Sequence, residues 1–97
     1  MARYRLTQSA QDSLEEITEQ SLERWGRLKT AEYMAALHRR FQWLAENPKL
    51  GRIRDDIGAD IRSYLQGSHM IFYRVTDYGA EIVGVPHASM DLGHYFG

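Results

Sequence analysis

Two amphipathic helical segments, separated by about three residues, constrain the fold of this chain more than any other feature. Each carries an apolar stripe at the three- and four-residue spacing of a helix face. The stripes are Ala10, Leu14, Ile17 and Ser21, then Met34, Leu37, Phe41 and Leu44. So short a connection predicts an antiparallel helical hairpin. Because Tyr33, Ala36 and Trp43 broaden the second apolar face, the hairpin needs a sheet to cover it.

The ends of both helices carry recognisable signals. Ser9 is the expected N-cap of the first helix, and Asp12 takes the place of the acid in a capping box. Gly26 can adopt the left-handed conformation that ends a helix. The second helix should begin near Thr30 and end before Pro48, because a proline disfavours helical backbone in the residue preceding it.

Four segments have the composition and alternation of β-strands. They are residues 3–7, 61–66, 69–76 and 80–85. Short turns at residues 67–68 and 77–79 join the last three into an antiparallel meander, and the polar stretch 49–60 is expected to be a loop. The sequence therefore predicts one α+β domain over residues 1–97. Its order is β-α-α-β-β-β, with a helical hairpin over one face of an antiparallel sheet.

Composition excludes several classes of function. The chain has no cysteine, which excludes disulfides and thiolate zinc sites and fits a cytoplasmic protein. Its N-terminus lacks the apolar core of a signal peptide, and no apolar run approaches the roughly 20 residues of a membrane helix. The net charge of −1 is not the basic excess of a non-specific nucleic-acid binder. Histidines 38, 69, 87 and 94 have no metal-motif spacing, so we expect neither a metal nor a cofactor.

A series of short fragments gives the chain a distinctive pattern. In the first half they are Tyr4-Arg5-Leu6-Thr7 and Arg24-Trp25-Gly26. In the second half they are Glu46-Asn47-Pro48, Leu50-Gly51-Arg52, Arg54-Asp55-Asp56-Ile57, Arg62-Ser63, His69, Ile71-Phe72-Tyr73-Arg74-Val75, Glu81-Ile82, Val85, His87 and Met90-Asp91. In joint order and spacing the chain resembles the ParE toxins of the RelE/ParE superfamily over nearly its whole length. It departs from them at Pro86, where an aliphatic residue is common, and at Ile53, where a proline is common.

The resemblance implies a toxin of a type II toxin–antitoxin system. ParE-type toxins poison DNA gyrase by stabilising its cleaved-DNA state, and so block replication. A ParD-like antitoxin holds the toxin in a hetero-oligomer through a C-terminal segment that folds on the toxin surface. Operator DNA is bound only indirectly, through the N-terminal domain of the antitoxin. The implied function is inhibition by binding, without catalytic residues.

Two alternatives stay open. RelE-like relatives cut messenger RNA on the ribosome, and Arg62, Arg74 and His87 are the residues here that can stabilise phosphate charge or transfer a proton. The arginines can equally pair with acids such as Asp60 or Glu81 across strands. The chain has only two lysines, few for docking on a ribosome. The second alternative is an inactive, antitoxin-bound co-repressor.

Two sets of binding residues are hypothesised. The target face is placed on exposed charged positions beside the sheet and on the C-terminal tail. Its members are Arg52, Arg54, Arg62, His87, Met90 and Asp91. The antitoxin is expected on large apolar residues of the helices, although the same residues can be core. Those residues are Trp25, Tyr33, Leu37 and Trp43.

Overall fold

A five-stranded sheet and one long helical segment make up most of the fold, and they confirm the α+β class. The computed structural model describes residues 1–96, except for the side chains of residues 93 and 94. The elements in chain order are β1 (Arg3–Leu6), α1 (Gln8–Glu46), a 3-10 helix (Pro48–Leu50), β2 (Arg52–Ile53), β3 (Ile61–Gln66), β4 (His69–Thr76), β5 (Gly79–Gly84) and α2 (Leu92–Phe96).

The sheet is mixed, so the expectation of an antiparallel sheet is wrong for one strand. Its order is β1-β5-β4-β3-β2, and β1 runs parallel to β5 with Tyr4 beside Ala80. The other three pairings are antiparallel. The alternation of polar and apolar residues identifies β1 as a strand. Whether β1 pairs in parallel or antiparallel depends on where α1 returns the chain to the sheet.

Part of the predicted loop is also a strand. Arg52 and Ile53 form β2, which pairs with Ser63 and Arg62 at the edge of the sheet. The backbone N–H of Arg54 extends this pairing by donating to the carbonyl of Ile61 at 2.8 Å. A strand of two residues is too short to show an alternating pattern, which is why the sequence does not reveal it.

A single glycine bends α1. Gly26 has φ 80° and ψ −178°, a conformation essentially reserved for glycine, and helical residues lie directly on both sides of it. A straight helix of 39 residues would span about 58 Å, whereas the longest dimension of the molecule is 36 Å. The halves 8–25 and 27–46 therefore cannot be collinear. The expected three-residue connection is wrong, because one glycine supplies the change of direction.

The start of α1 lies two residues earlier than its sequence signals indicate. Thr7 is the N-cap, and its hydroxyl accepts a hydrogen bond from the backbone N–H of Ala10 at 3.1 Å. Thr7 also closes β1, since its own N–H donates to the carbonyl of Ile82 at 3.0 Å. Ser9 lies inside the first turn, so it is not the cap, and no capping box forms with Asp12. The helix ends at Glu46, before Pro48 as predicted.

Both halves of α1 pack on the same face of the sheet. Leu14 and Ile17 from the first half meet Leu37 and Phe41 from the second in one hydrophobic core. On the sheet side this core contains Ile71, Tyr73, Ala80, Ile82 and Val85. Leu37 and Phe41 have no exposed surface, and burial of each stabilises the fold by roughly 1.5–3 kcal/mol.

The other face of the sheet is partly covered by the C-terminal helix. The ring of Phe96 lies edge-on to Phe72 with 5.0 Å between ring centroids. Tyr95 lies over Gly84, where a Cβ atom would come within 2.6 Å of the tyrosine hydroxyl. A side chain at position 84 would therefore displace α2.

Candidate partner-binding groove

An open groove of 620 Å³ lies between the first half of α1 and the beginning of β4. The helix contributes Ile17, Ser21 and Trp25 to its walls. The opposite wall is formed by His69 from β4 and by His87 and Ser89 from the segment that follows β5. The groove therefore lies where the bend in α1, the β3–β4 turn and the C-terminal segment meet.

Exposed apolar side chains surround the bend in α1. Trp25 and Leu22 each retain 42% of their accessible surface, and Leu28 retains 82%. Trp25 also borders a second hollow of 530 Å³, shared with Lys29, Glu32 and Tyr33. Large apolar residues clustered on a surface are typical of protein interaction sites, where a few aromatic side chains carry most of the binding energy.

The hydroxyl of Tyr33 connects α1 to the turn between β3 and β4. It lies 2.6 Å from Nδ1 of His69, donates to the carbonyl of Gln66 at 3.1 Å and accepts from the N–H of Ser68 at 3.1 Å. Burial raises the pKa of Tyr33, while the hydrogen bond from Ser68 acts in the opposite direction. Gly67 turns the chain beneath this ring at φ 58°, and a Cβ there would come within 2.7 Å of it.

Two histidines lie side by side in the wall of the groove opposite the helix. The rings of His69 and His87 meet edge to face at 5.3 Å, and the two residues form an isolated β-bridge. Burial, and secondarily the charge of His87, lower the pKa of His69 from 6.5 to about 4. His69 is therefore neutral at physiological pH. His87 is exposed, and its Nδ1 accepts a hydrogen bond from the backbone N–H of Ser89 at 3.2 Å.

Backbone hydrogen bonds fix the segment that carries His87. The N–H of Met70 donates to the carbonyl of Pro86 at 2.9 Å, and the N–H of Ala88 donates to the carbonyl of Ser68 at 2.8 Å. A third bond joins Met90 to His87. The beginning of the predicted target-binding tail is therefore held against the start of β4, with Met90 exposed.

The four residues predicted to bind an antitoxin do not form one surface. Trp25 and Tyr33 lie together at the second hollow, with their ring centroids 6.0 Å apart. Leu37 belongs to the core and has no accessible surface, so the prediction of a partner contact there is wrong. Trp43 is half-buried and packs edge-on to Tyr64, with the guanidinium of Arg40 4.7 Å from the centre of its ring.

The arginines predicted on the target face differ in exposure. Arg52 is exposed on the edge strand. The side chain of Arg54 is only 15% exposed, so its predicted exposure is wrong. It forms a two-pronged ion pair with Asp56 at 3.0 and 2.9 Å, and its guanidinium lies 5.3 Å from the centre of the Phe72 ring. The pKa of Asp56 is lowered, chiefly by the hydrogen bond from Arg54.

Arg62 supports the backbone instead of pointing freely into solvent. Its Nη1 atom donates to the carbonyls of Gly51 at 2.9 Å and Lys49 at 3.2 Å. Tyr73 holds the same segment from beneath, accepting from the N–H of Gly51 at 2.9 Å and donating to the carbonyl of Pro48 at 2.6 Å. These bonds fix the 3-10 helix and the start of β2, and so the position of Arg52.

The residues considered for ribonuclease chemistry are not assembled into one site. In the register of β3 and β4, Arg74 is paired with Ile61 while Arg62 is paired with Tyr73, so the two arginines start from opposite faces of the sheet. Both border a shallow hollow at the sheet margin, but Arg74 is ion-paired with Glu81 at 2.9 Å. His87 lies beside His69, five residues from Arg74 along β4, or about 17 Å.

Some residues of the groove escape prediction from the sequence. His69 looks like an ordinary residue at the start of a strand, and only the bridge to His87 reveals its position in the groove. Leu22 and Leu28 lie outside the apolar stripes, on either side of Gly26. Large apolar residues that lie outside the helix stripes and beside a helix-breaking glycine are the sequence signal for this exposed apolar surface.

No metal-binding arrangement is present in the described part of the chain. No group of three or more His, Asp or Glu side chains with a suitable arrangement occurs there, and His94 lies outside the described side chains. Within the same residues, no helix has both the length and the apolar character needed to span a membrane.

The fold is shared with a chain of known structure. A chain of the solved chromosomal ParDE TA system from P. aeruginosa matches with a TM-score of 0.73, over 90% of this chain and 96% of that one, at 16% sequence identity. At that identity the likeness defines the fold and nothing more specific.

Sequence comparison defines the family. The model of the ParE toxin of the type II toxin–antitoxin system parDE matches residues 4–92. Toxin ParE1 of Mycobacterium tuberculosis (strain ATCC 25618 / H37Rv) is 39% identical over 92 residues, 94% of each chain. Toxin ParE1 of Caulobacter vibrioides is 35% identical over 97 residues and the full length of both chains. The chain belongs to the ParE toxin family, and the resemblance noted in its sequence is confirmed.

Proposed function

We propose that this protein is a cytoplasmic toxin that inhibits DNA gyrase by stabilising its cleaved-DNA state, and that a ParD-like antitoxin neutralises it. The observation that carries this proposal is the match to the ParE toxin model over residues 4–92. The dispersal of Arg62, Arg74 and His87 supports a mechanism by binding over ribonuclease chemistry.

The antitoxin binds at the groove beneath the bend in α1. An apolar segment of the antitoxin lays its side chains against Trp25, Leu22 and Leu28, and it folds as it binds. The exposed apolar surface at the bend supports this placement, because it lies outside the core of the isolated chain. The resulting hetero-oligomer contacts operator DNA only through the antitoxin.

The target face combines Arg52 with the segment after β5. Arg52, His87, Met90 and Asp91 are exposed positions held by hydrogen-bonded backbone, which suits contacts that need a fixed geometry. Arg54 and Arg62 serve this face indirectly. They use their guanidiniums to position the chain around β2, through Asp56 and through the carbonyls of residues 49 and 51.

One pair of assays tests the proposal. Purified protein is incubated with gyrase and supercoiled DNA, and separately with translating ribosomes. We expect linear DNA to appear when the protein in the reaction is denatured. We expect none when the antitoxin is present. Cleaved message on the ribosome would overturn it in favour of a ribonuclease. Activity in neither assay, together with tight antitoxin binding, would overturn it in favour of an inactive co-repressor.

A further inference from the structure

The sheet face turned away from α1 carries a group of arginines at the end formed by the β4–β5 turn. The register places Arg5 of β1, Glu81 of β5 and Arg74 of β4 in one row across three adjacent strands. Arg3 precedes Arg5 by two residues, so it projects from the same face of the strand. The alternate residues of β1, Tyr4 and Leu6, pack against the core on the helix side, which confirms that the arginines point away from it.

These arginines form a cationic surface, which we call the arginine face: Arg3, Arg5, Arg74, Tyr78 and Glu81. Arg3 and Arg5 are exposed, and in the described part of the chain neither has a carboxylate within ion-pair distance. Three positive charges thus face one negative charge, on a protein whose net charge is −1. Further exposed carboxylates lie at this end of the sheet: Asp77 in the adjoining turn, and Asp55 and Asp60 at a hollow that Arg74 also borders.

Tyr78 organises the two unpaired arginines. The guanidinium of Arg5 lies 4.6 Å from the centre of the Tyr78 ring, and that of Arg3 lies 5.8 Å from it. Such cation–π contacts orient an arginine side chain while leaving its N–H groups free to donate outward. The guanidinium fork matches the geometry of phosphate oxygens, with which it forms short, strong hydrogen bonds.

Exposed acidic side chains lie on the side of the molecule opposite the arginine face. The exposed acids of the first half of α1 lie on the helical layer, which covers the opposite face of the sheet. They are Asp12, Glu15, Glu16, Glu19 and Glu23. With its seven acids and five bases, α1 has a net charge of −2, so the arginine face is the more cationic side of the protein in the field of a polyanion. The small excess of positive charge on the arginine face is too weak for tight binding to free DNA. A second contact must therefore hold the protein next to the DNA.

We propose that the arginine face contacts the sugar–phosphate backbone of the DNA that gyrase holds cleaved. This inference rests on the proposed function, because gyrase supplies the second contact and brings the DNA next to the toxin. Phosphate contacts of this kind position a protein without reading sequence. Trapping should therefore depend on salt more than on the sequence at the cleavage site.

The test is a salt titration of cleavage-complex trapping with a charge-neutralised variant. Arg3→Gln/Arg5→Gln removes the two unpaired guanidiniums and keeps side chains of similar length. Arg27→Gln/Arg39→Gln changes the net charge equally at exposed positions on α1 and is the matched control. Urea unfolding, measured for both variants, verifies that each is folded.

We expect the Arg3→Gln/Arg5→Gln variant to reach half-maximal trapping at low salt only at about tenfold higher concentration. The slope of the log–log plot of trapping affinity against salt concentration should be shallower by about 2. The control should follow the unsubstituted protein. Equal curves for both variants and the unsubstituted protein would overturn the inference and leave the proposed function intact. Failure of the unsubstituted protein to trap gyrase at all would overturn the proposed function, and the inference with it.

Discussion

The hydroxyl of Tyr33 lies 2.6 Å from Nδ1 of the buried imidazole of His69, and this contact joins the second half of α1 to the start of β4. His69 in turn meets His87, the first exposed residue after β5. One line of three side chains therefore connects the bent helix, the sheet and the C-terminal segment. Changes along this line should affect both stability and partner binding.

The hydroxyl of Tyr33 should be worth a measurable part of the folding free energy. Tyr33→Phe removes hydrogen bonds to His69, Gln66 and Ser68 while keeping the ring, and we expect a loss of about 1–2 kcal/mol in urea unfolding. Tyr64→Phe is the control, because the Tyr64 hydroxyl has no hydrogen bond within the described residues. Equal stability of the two variants would contradict the assigned role.

The low pKa of His69 predicts acid sensitivity. A histidine that titrates at about 4 in the folded protein and near 6.5 in the unfolded chain favours folding above pH 6.5. That stability is lost as the pH falls from about 6.5 towards 4, because the unfolded state then binds the proton first. Between pH 7 and 4.5 we expect this loss to be about 2 kcal/mol.

Urea unfolding at both pH values measures the effect. His69→Gln should lower the stability at pH 7 but reduce the loss between the two pH values. His38→Gln, at an exposed histidine, should keep the full loss. Parallel pH dependence in all three proteins would show that His69 does not titrate as the structure indicates.

Gly26 should be required for its backbone conformation alone. A Cβ atom added there meets nothing within 4 Å, but φ 80° with ψ −178° is strained for any other residue. We expect Gly26→Ala to destabilise the protein by about 1–3 kcal/mol in urea unfolding. Gly58→Ala, whose Cβ would make an ordinary 3.5 Å contact with Ile61, should be nearly neutral. A neutral Gly26→Ala would mean that the bend is not fixed at this residue.

Trp25 should dominate binding of the antitoxin. Because 42% of its surface is exposed and its ring packs on Tyr33, Trp25→Ala should keep the fold and lower the unfolding free energy by about 1 kcal/mol. We expect it to weaken antitoxin affinity by about 30-fold, as for an aromatic hot spot, measured by calorimetry. Leu65→Ala, at a residue 55% exposed on β3, is the control and should bind normally. Unchanged affinity of Trp25→Ala would move the antitoxin to another surface.

Substitutions at Arg52 and Arg54 should distinguish a residue that contacts gyrase from one that stabilises the fold. Arg54→Ala loses the ion pair with Asp56 and the contact with Phe72, so we expect a destabilisation of about 1–2 kcal/mol. Arg52→Ala should leave stability unchanged and reduce trapping of gyrase several-fold, since its side chain is exposed. If Arg52→Ala traps gyrase like the unsubstituted protein, the target face does not include β2.

The sequence by itself determined the α+β class, the strands β3 to β5 and the end of α1, because periodicity, turn residues and proline act locally. It also identified the family, since that depends on the order and spacing of residues along the chain.

Only the tertiary structure decided which side chains meet. The parallel pairing of β1 with β5, the packing of Leu37 in the core, the contact of Arg54 with Phe72 and that of His69 with His87 all join residues distant in sequence. Such contacts depend on how α1 bends at Gly26 and returns the chain to the sheet, and no local pattern encodes that path. For the same physical reason the sequence suggested a target face but not which of its arginines are free to bind.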